Sequence, residues 1–130
     1  MTEIPQSHID LIGAPHLAHL ATTNKDGSPQ NSPIWLKLDG DQIVFSTTEE
    51  RRKTKNMRRT PSISLSIVDS DNPFRYIELR GPVTFEPDLE KTLPLELWPL
   101  YVGEGQYPIE TDHETRVIVR FTPSHIVAQG

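Results

Sequence analysis

The chain has 130 residues, 35% of them hydrophobic, and no cysteine. That length fits one domain with one real core, and the missing thiols exclude disulfides, thiolate catalysis and thiolate metal sites. The formal net charge is −5, from 13 basic and 18 acidic residues. No apolar run approaches the ~18 residues of a membrane span. The start, MTEIPQSHID, lacks the basic and then apolar pattern of a secretory signal, so a cytoplasmic protein is expected.

In chain order, Gln6–Ile12 reads as a short helix, with Ile9 and Ile12 on one face, ending at Pro15. Ala18–Thr23 reads as a strand, Lys25-Asp26-Gly27 as a turn, and Asn31–Lys37 as the returning strand. Asp39-Gly40 marks a second hairpin into Gln42–Ser46. A helix is then expected from Thr47 as N-cap, with Glu50 completing a capping box, to about Arg59, before Pro61. Ser62–Val68 alternates Ile63, Leu65 and Ile67 with polar residues, the mark of a half-buried strand. After the turn Ser70–Pro73, Phe74–Phe85 reads as a long strand with a bend at Gly81-Pro82. Asp88–Tyr101 reads as a second helix, Gly103–His113 as an irregular loop, Thr115–Phe121 as a strand and Ser124–Ala128 as a last short one. Six or seven strands joined by short turns, with two or three helices, predict a mainly β protein: an antiparallel barrel with helices packed outside.

The charge is unevenly placed. Arg51, Arg52, Lys53, Lys55, Arg58 and Arg59 are six of the 13 basic residues, leaving seven against 18 acidic in the remainder. An acidic body repels long polyanions, whereas one basic patch can hold a small one. A phosphorylated small molecule is therefore expected as ligand, and nucleic acid is not. The helix in this segment has Met57 as its main apolar residue, so burial contributes little to it. The hydroxyls of Ser46, Thr47 and Thr48, the free N–H groups of a first helical turn, Arg51 and Lys53 together suit phosphate. The competing reading is a solvated helix whose Arg and Lys pair with Glu49 and Glu50. An anion site further requires both glutamates to point away.

Two other segments could carry chemistry. In QNSPIW, residues 30–35, Pro33 cannot donate to a ladder, so an edge or irregular stretch is expected. Trp35 there either borders a flat ligand or packs as ordinary core. In Asn72–Tyr76, Phe74 and Tyr76 flank Arg75, fit for a pocket wall, a dimer seam or simple strand packing. The histidines lack metal-ligand spacing, and no GxSxG, GxxxxGK[ST] or GxGxxG occurs. No catalytic acid or base stands out. An enzyme so equipped needs a cofactor to supply the reactivity, and a non-catalytic carrier of a cofactor or tetrapyrrole is the alternative.

HLATTNKDGSPQNSPIW at 19–35, IVFSTTEERRKTKNMRR at 43–59, VDSDNPFRYIELRGPV at 68–83, GEGQYP at 103–108 and RVIVRFTPSHI at 116–126, in this order, resemble the pyridoxamine-phosphate-oxidase-like split barrels. The branch they resemble is the flavin/deazaflavin oxidoreductase group B, known for coenzyme F420-dependent reductases. The resemblance implies a six-stranded split β-barrel of the FMN-binding type, over one domain, and a homodimer with cofactor grooves between subunits. It implies F420 as cofactor, with FMN as the alternative, and hydride transfer to a small conjugated acceptor. Ser46, Thr47, Arg51 and Lys53 would hold the cofactor phosphate, supported by Lys55 and Asn56, with Thr48 beside them. Ser32, Pro33, Ile34 and Trp35 would face the tricyclic ring, and Phe74 and Arg75 would approach from the second subunit. Where full pyridoxamine phosphate oxidases have an arginine-led stretch, this chain has QNSPIW, which argues against a vitamin-B6 role.

Overall fold

A computed structural model describes residues 3–109 and 112–130. Among these described residues there are eight strands: β1 Ala18–Thr23, β2 Pro29–Ile34, β3 Leu36–Asp39, β4 Gln42–Thr48, β5 Ser62–Asp69, β6 Asn72–Pro87, β7 Arg116–Phe121 and β8 His125–Gln129. Two α-helices, α1 Arg52–Arg59 and α2 Thr92–Tyr101, lie between them. All pairings are antiparallel, in the order β2-β1-β5-β6-β7-β4-β3, with β8 on β6. The two ends of this order, β2 and β3, are separated in sequence only by Trp35. The sheet therefore curls until its edges meet at one residue, without a hydrogen-bonded ladder closing it. This is the split-barrel architecture.

The period-two alternation places the core. Leu20, Ile43, Phe45, Leu65, Ile67, Ile77, Leu79, Val119 and Phe121 are fully buried in one cluster inside the curl, with Met57 of α1 as its plug. β4 is covered on both faces: Phe45 points inward, while Val44 packs outside against Leu93 and Leu97 of α2. α2 begins with a side-chain clamp, Asp88 accepting from the backbone N–H groups of Thr92 (2.9 Å) and Leu93 (3.0 Å), which satisfies donors that the helix itself leaves free.

The N-terminal helix expected over Gln6–Ile12 is only a 3₁₀ turn at Ile9–Leu11. Leu11 and Ile12 anchor the segment in the core, and its polar groups pin it to the body of the fold. His8 Nε2 bonds the Gln129 carbonyl at 2.7 Å, and Arg75 bonds the Ser7 carbonyl and Asp10. The strand expected over Asn31–Lys37 is two strands, broken at Trp35 where the chain crosses from one sheet edge to the other. The count of eight strand segments exceeds the six or seven read from sequence for the same reason.

Tyr101, the last residue of α2, stitches this crossing. Its hydroxyl accepts from the Leu36 N–H (3.1 Å) and donates to the Leu36 carbonyl (2.9 Å). Burial pushes the phenol pKa up, so it remains a neutral donor. Tyr101→Phe should leave a buried peptide N–H without a partner and cost about 1–3 kcal/mol, measured as a lower midpoint in urea with an unchanged m-value.

Candidate functional site

The crossing at Trp35 opens a cleft of about 240 Å³ beside β4. Its floor and one wall come from Pro33, Ile34, Trp35 and Ser46, and the opposite wall from Pro94, Leu97 and Trp98 of α2 with Tyr107 of the following loop. Arg51, Lys53 and Arg116 close its third side. One half of the cleft is thus aromatic and the other cationic.

Alternation along β4 decides which hydroxyls face this space. Val44 and Ser46 point outward, and Ser46 emerges where α2 no longer covers the strand. Thr47 points the other way: it is fully buried and shares a hydrogen bond with Thr54 of α1 at 2.9 Å. Thr48 is also fully buried, its hydroxyl donating to Glu114 at 2.9 Å. The expectation that all three hydroxyls gather at a helix N-terminus is corrected on this point. The strand runs on through Thr48, and α1 starts at Arg52 with Arg51 at its cap and no side-chain cap bond. The capping box from Thr47 to Glu50 does not form. β4 pairs with β7 through Thr48↔Arg116, and that ladder outcompetes a helical turn.

Asn56 is fully buried beneath α1 and donates to Thr22 (3.1 Å) and Asn24 (2.9 Å). It ties the helix to the β1–β2 hairpin and does not line the cleft. Lys55 is exposed on the outer side of α1, away from the cleft. Ser32 stands at the edge, accepting from Lys53 Nζ at 3.2 Å. Phe74, 84% exposed, and Arg75 lie at the β5–β6 hairpin and do not line the cleft of their own chain. Arg75 is engaged by Asp69 at 2.8 Å, by Asp10 and by the Ser7 carbonyl, so a ligand would have to displace a carboxylate to use it.

The glutamates that threatened an anion site are occupied elsewhere. Glu49 pairs with Arg58 at 2.8 Å, and Glu50 accepts from the Thr115 N–H at 2.8 Å. Of the three cleft cations, Arg51 meets Glu114 only at 3.9 Å, and Arg116 Nε donates to Asp112 at 2.9 Å while its Nη1 reaches Ser46 Oγ at 3.3 Å. No carboxylate among the described residues pairs with Lys53. Burial lowers the Lys53 pKa, and the charges of Arg51 and Arg116 lower it further. Three cations held together with too few anions make a site that gains from receiving one.

The aromatic half is a continuous chain of rings. Trp35 stacks on Tyr101 (5.3 Å between centroids, 5° between planes), Trp98 meets Trp35 edge-on at 5.9 Å, and Tyr107 meets Trp98 edge-on at 5.6 Å. Trp35 is therefore both things the sequence allowed, core on one side and cleft surface on the other. Arg116, Trp98 and Tyr107 were not expected at the site. Arg116 reaches it because β7 pairs with β4, and strand neighbourhood is not legible from the chain. GEGQYP flagged the loop but not the inward turn of Tyr107.

The sequence of residues 4–130 matches the family described as pyridoxamine 5'-phosphate oxidase. A solved structure named an F420 reductase is 34% identical to this chain, over 95% of this chain and 98% of its own length, with a TM-score of 0.87. A conserved hypothetical protein from Mycobacterium tuberculosis is 20% identical over 99% and 89%, TM-score 0.78. HupZ of Group A Streptococcus is 16% identical over 96% and 93%, TM-score 0.70. The last two likenesses speak for the fold alone. With its split-barrel sheet and a family match that spans nearly its whole length, this chain belongs to the pyridoxamine 5'-phosphate oxidase family.

Proposed function

We propose that this protein is an F420-dependent reductase that transfers a hydride from the reduced deazaflavin to a small conjugated acceptor. The observation that carries this reading is the cationic trio Arg51, Lys53 and Arg116 set against the Trp35 crossing in one cleft. The 34% identical F420 reductase supports it. The donor set fits the group. Lys53, Arg51 and the free edge of Arg116 offer charge-assisted hydrogen bonds to phosphoryl oxygens, and Ser46 and Ser32 add hydroxyls. β2 is an end strand, so its outer edge at Pro33 and Ile34, with Trp35 between the two ladders, leaves backbone groups for a flat polar ring.

The bound cofactor supplies the hydride; the chain supplies placement. Pro94, Leu97 and Trp98 hold a flat acceptor against the Trp35 side and exclude water, and holding the reactants together contributes much of the rate enhancement. Arg51, Lys53 and Arg116 stabilise negative charge that develops on the acceptor or resides on the cofactor. We place the working unit as a homodimer, in which the exposed Phe74 of a second copy approaches this open cleft.

A fluorescence titration with oxidised F420 tests the reading. Saturable binding is expected, tighter than that of FMN and without flavin colour in the purified protein. Tight FMN binding with no response to F420 would transfer the assignment to an FMN-dependent oxidoreductase of the same fold.

A further inference from the structure

Tyr107 and Arg116 belong to opposite halves of the cleft, yet both end on one carboxylate. Asp112 accepts the Tyr107 hydroxyl and, on the same oxygen, Arg116 Nε at 2.9 Å. Its other oxygen accepts the Glu114 N–H at 3.1 Å and lies 3.9 Å from Lys91 Nζ. The Asp112 side chain is only 7% exposed. Burial alone would raise its pKa; the donors from Tyr107 and Arg116 outweigh this and bring it to about 2. The Tyr107 phenol is pushed up to about 12, first by burial and then by the bond to Asp112. At neutral pH the arrangement is therefore fixed as carboxylate, phenol and guanidinium.

The guanidinium is shared by edge. Asp112 holds Nε, while Nη1 points to Ser46 and the cleft. Its planar fork can serve both partners together. The Tyr107 ring lies 5.9 Å from the Arg116 guanidinium and edge-on to Trp98. Moving the guanidinium toward an anion thus pulls on the carboxylate that fixes the ring.

We propose that Asp112 is a positioning residue that couples the two halves of the cleft: an anion on Arg116 tightens Tyr107 against Trp98 and so shapes the acceptor wall. This rests on the anion reading given above. An anion also removes the mutual repulsion of the three cations, which lets Arg116 settle in one orientation. Occupancy of the phosphate end then precedes and favours binding at the aromatic end.

The chain has two tryptophans, Trp35 and Trp98, so a Trp35→Phe background leaves Trp98 as the sole reporter. Inorganic phosphate is titrated by calorimetry and, in parallel, by acrylamide quenching of Trp98 emission. Phosphate is expected to bind and to protect Trp98 from quenching in a saturable way. In Asp112→Asn and in Tyr107→Phe, each added to that background, phosphate should still bind while the protection is lost. Equal protection in folded variants overturns the inference. Binding without protection in the parent overturns it too, and leaves the anion site intact; absence of binding heat removes both. If Asp112→Asn fails to fold by circular dichroism, Tyr107→Phe, which keeps the ring and loses only the hydroxyl, decides the matter.

Discussion

Lys53→Met is expected to raise the stability of the ligand-free protein and to weaken phosphate or cofactor binding. The two effects have opposite sign because the same charge causes both. Lys53 is partly desolvated, has two cationic neighbours, and among the described residues is bonded only to the neutral Ser32 hydroxyl. Its pKa is lowered in the fold from an ordinary value of 10.5. Between the lowered value and 10.5, the unfolded chain carries the proton more than the folded one does. The contribution of Lys53 to stability therefore rises with pH across that window, and below it the charged form works against the fold. A methionine of similar length keeps the stem packing and removes the strain. Differential scanning fluorimetry should show a higher Tm for the variant at pH 7, the gap closing toward pH 10. Affinity for F420 or inorganic phosphate should fall by about 1–3 kcal/mol, the range for a charge-assisted hydrogen bond. Arg51→Ala should fall in the same range. The double loss should be less than the sum, since both residues meet one ligand. In the wild type, affinity should decline as pH rises through the lowered Lys53 pKa. A lower Tm with unchanged affinity would remove Lys53 from the site.

Gly81→Ala is expected to be the most damaging small substitution for the fold. A Cβ at this position would sit 2.2 Å from the Thr122 carbonyl oxygen and 3.1 Å from the Ser124 N–H nitrogen. Both are backbone atoms, so no side-chain rotation relieves the clash. The flanking bonds, Thr122 N–H to Pro82 O (3.1 Å) and Ser124 N–H to Arg80 O (2.8 Å), would have to lengthen together. Overpacking of this kind costs roughly 3 kcal/mol or more, which for a domain of this size is a Tm loss of about 10 °C. Chemical denaturation should show the loss; a change within error would mean that the Thr122–Ser124 segment yields freely.

Much of this architecture was legible in the chain, for physical reasons that differ by segment. Ala18–Thr23 was found at its true bounds because turn residues follow it and its alternation is clean. Ser62–Val68 was found within one residue for the same reason. The bend at Gly81-Pro82 was read from residue chemistry and is where β6 leaves β5 for β7. The capping box failed because STTEE carries a local helix signal that a non-local ladder with β7 overrides. At the cleft, Pro33, Trp35, Ser46, Arg51 and Lys53 were nameable from residue type and order, and Ile34 came with the family resemblance. Thr47 turns inward because facing in a strand depends on parity, whereas Thr48 shares the parity of Ser46 and is taken up by Glu114, because the strand runs two residues past its expected end. Arg116 was hidden because pairing between β4 and β7 joins residues far apart in the chain, such as Thr48 and Arg116.

The long strand β6 has a thermodynamic consequence. Its first part carries β5 and β8, and its last part, Val83–Pro87, carries β7. Neither half of the sheet can melt alone without stripping hydrogen bonds from a strand that the other half still needs. Unfolding should therefore be all-or-none, with far-ultraviolet and tryptophan signals tracing one coincident transition, and with the amide protons at the centre of β6 among the last to exchange with solvent.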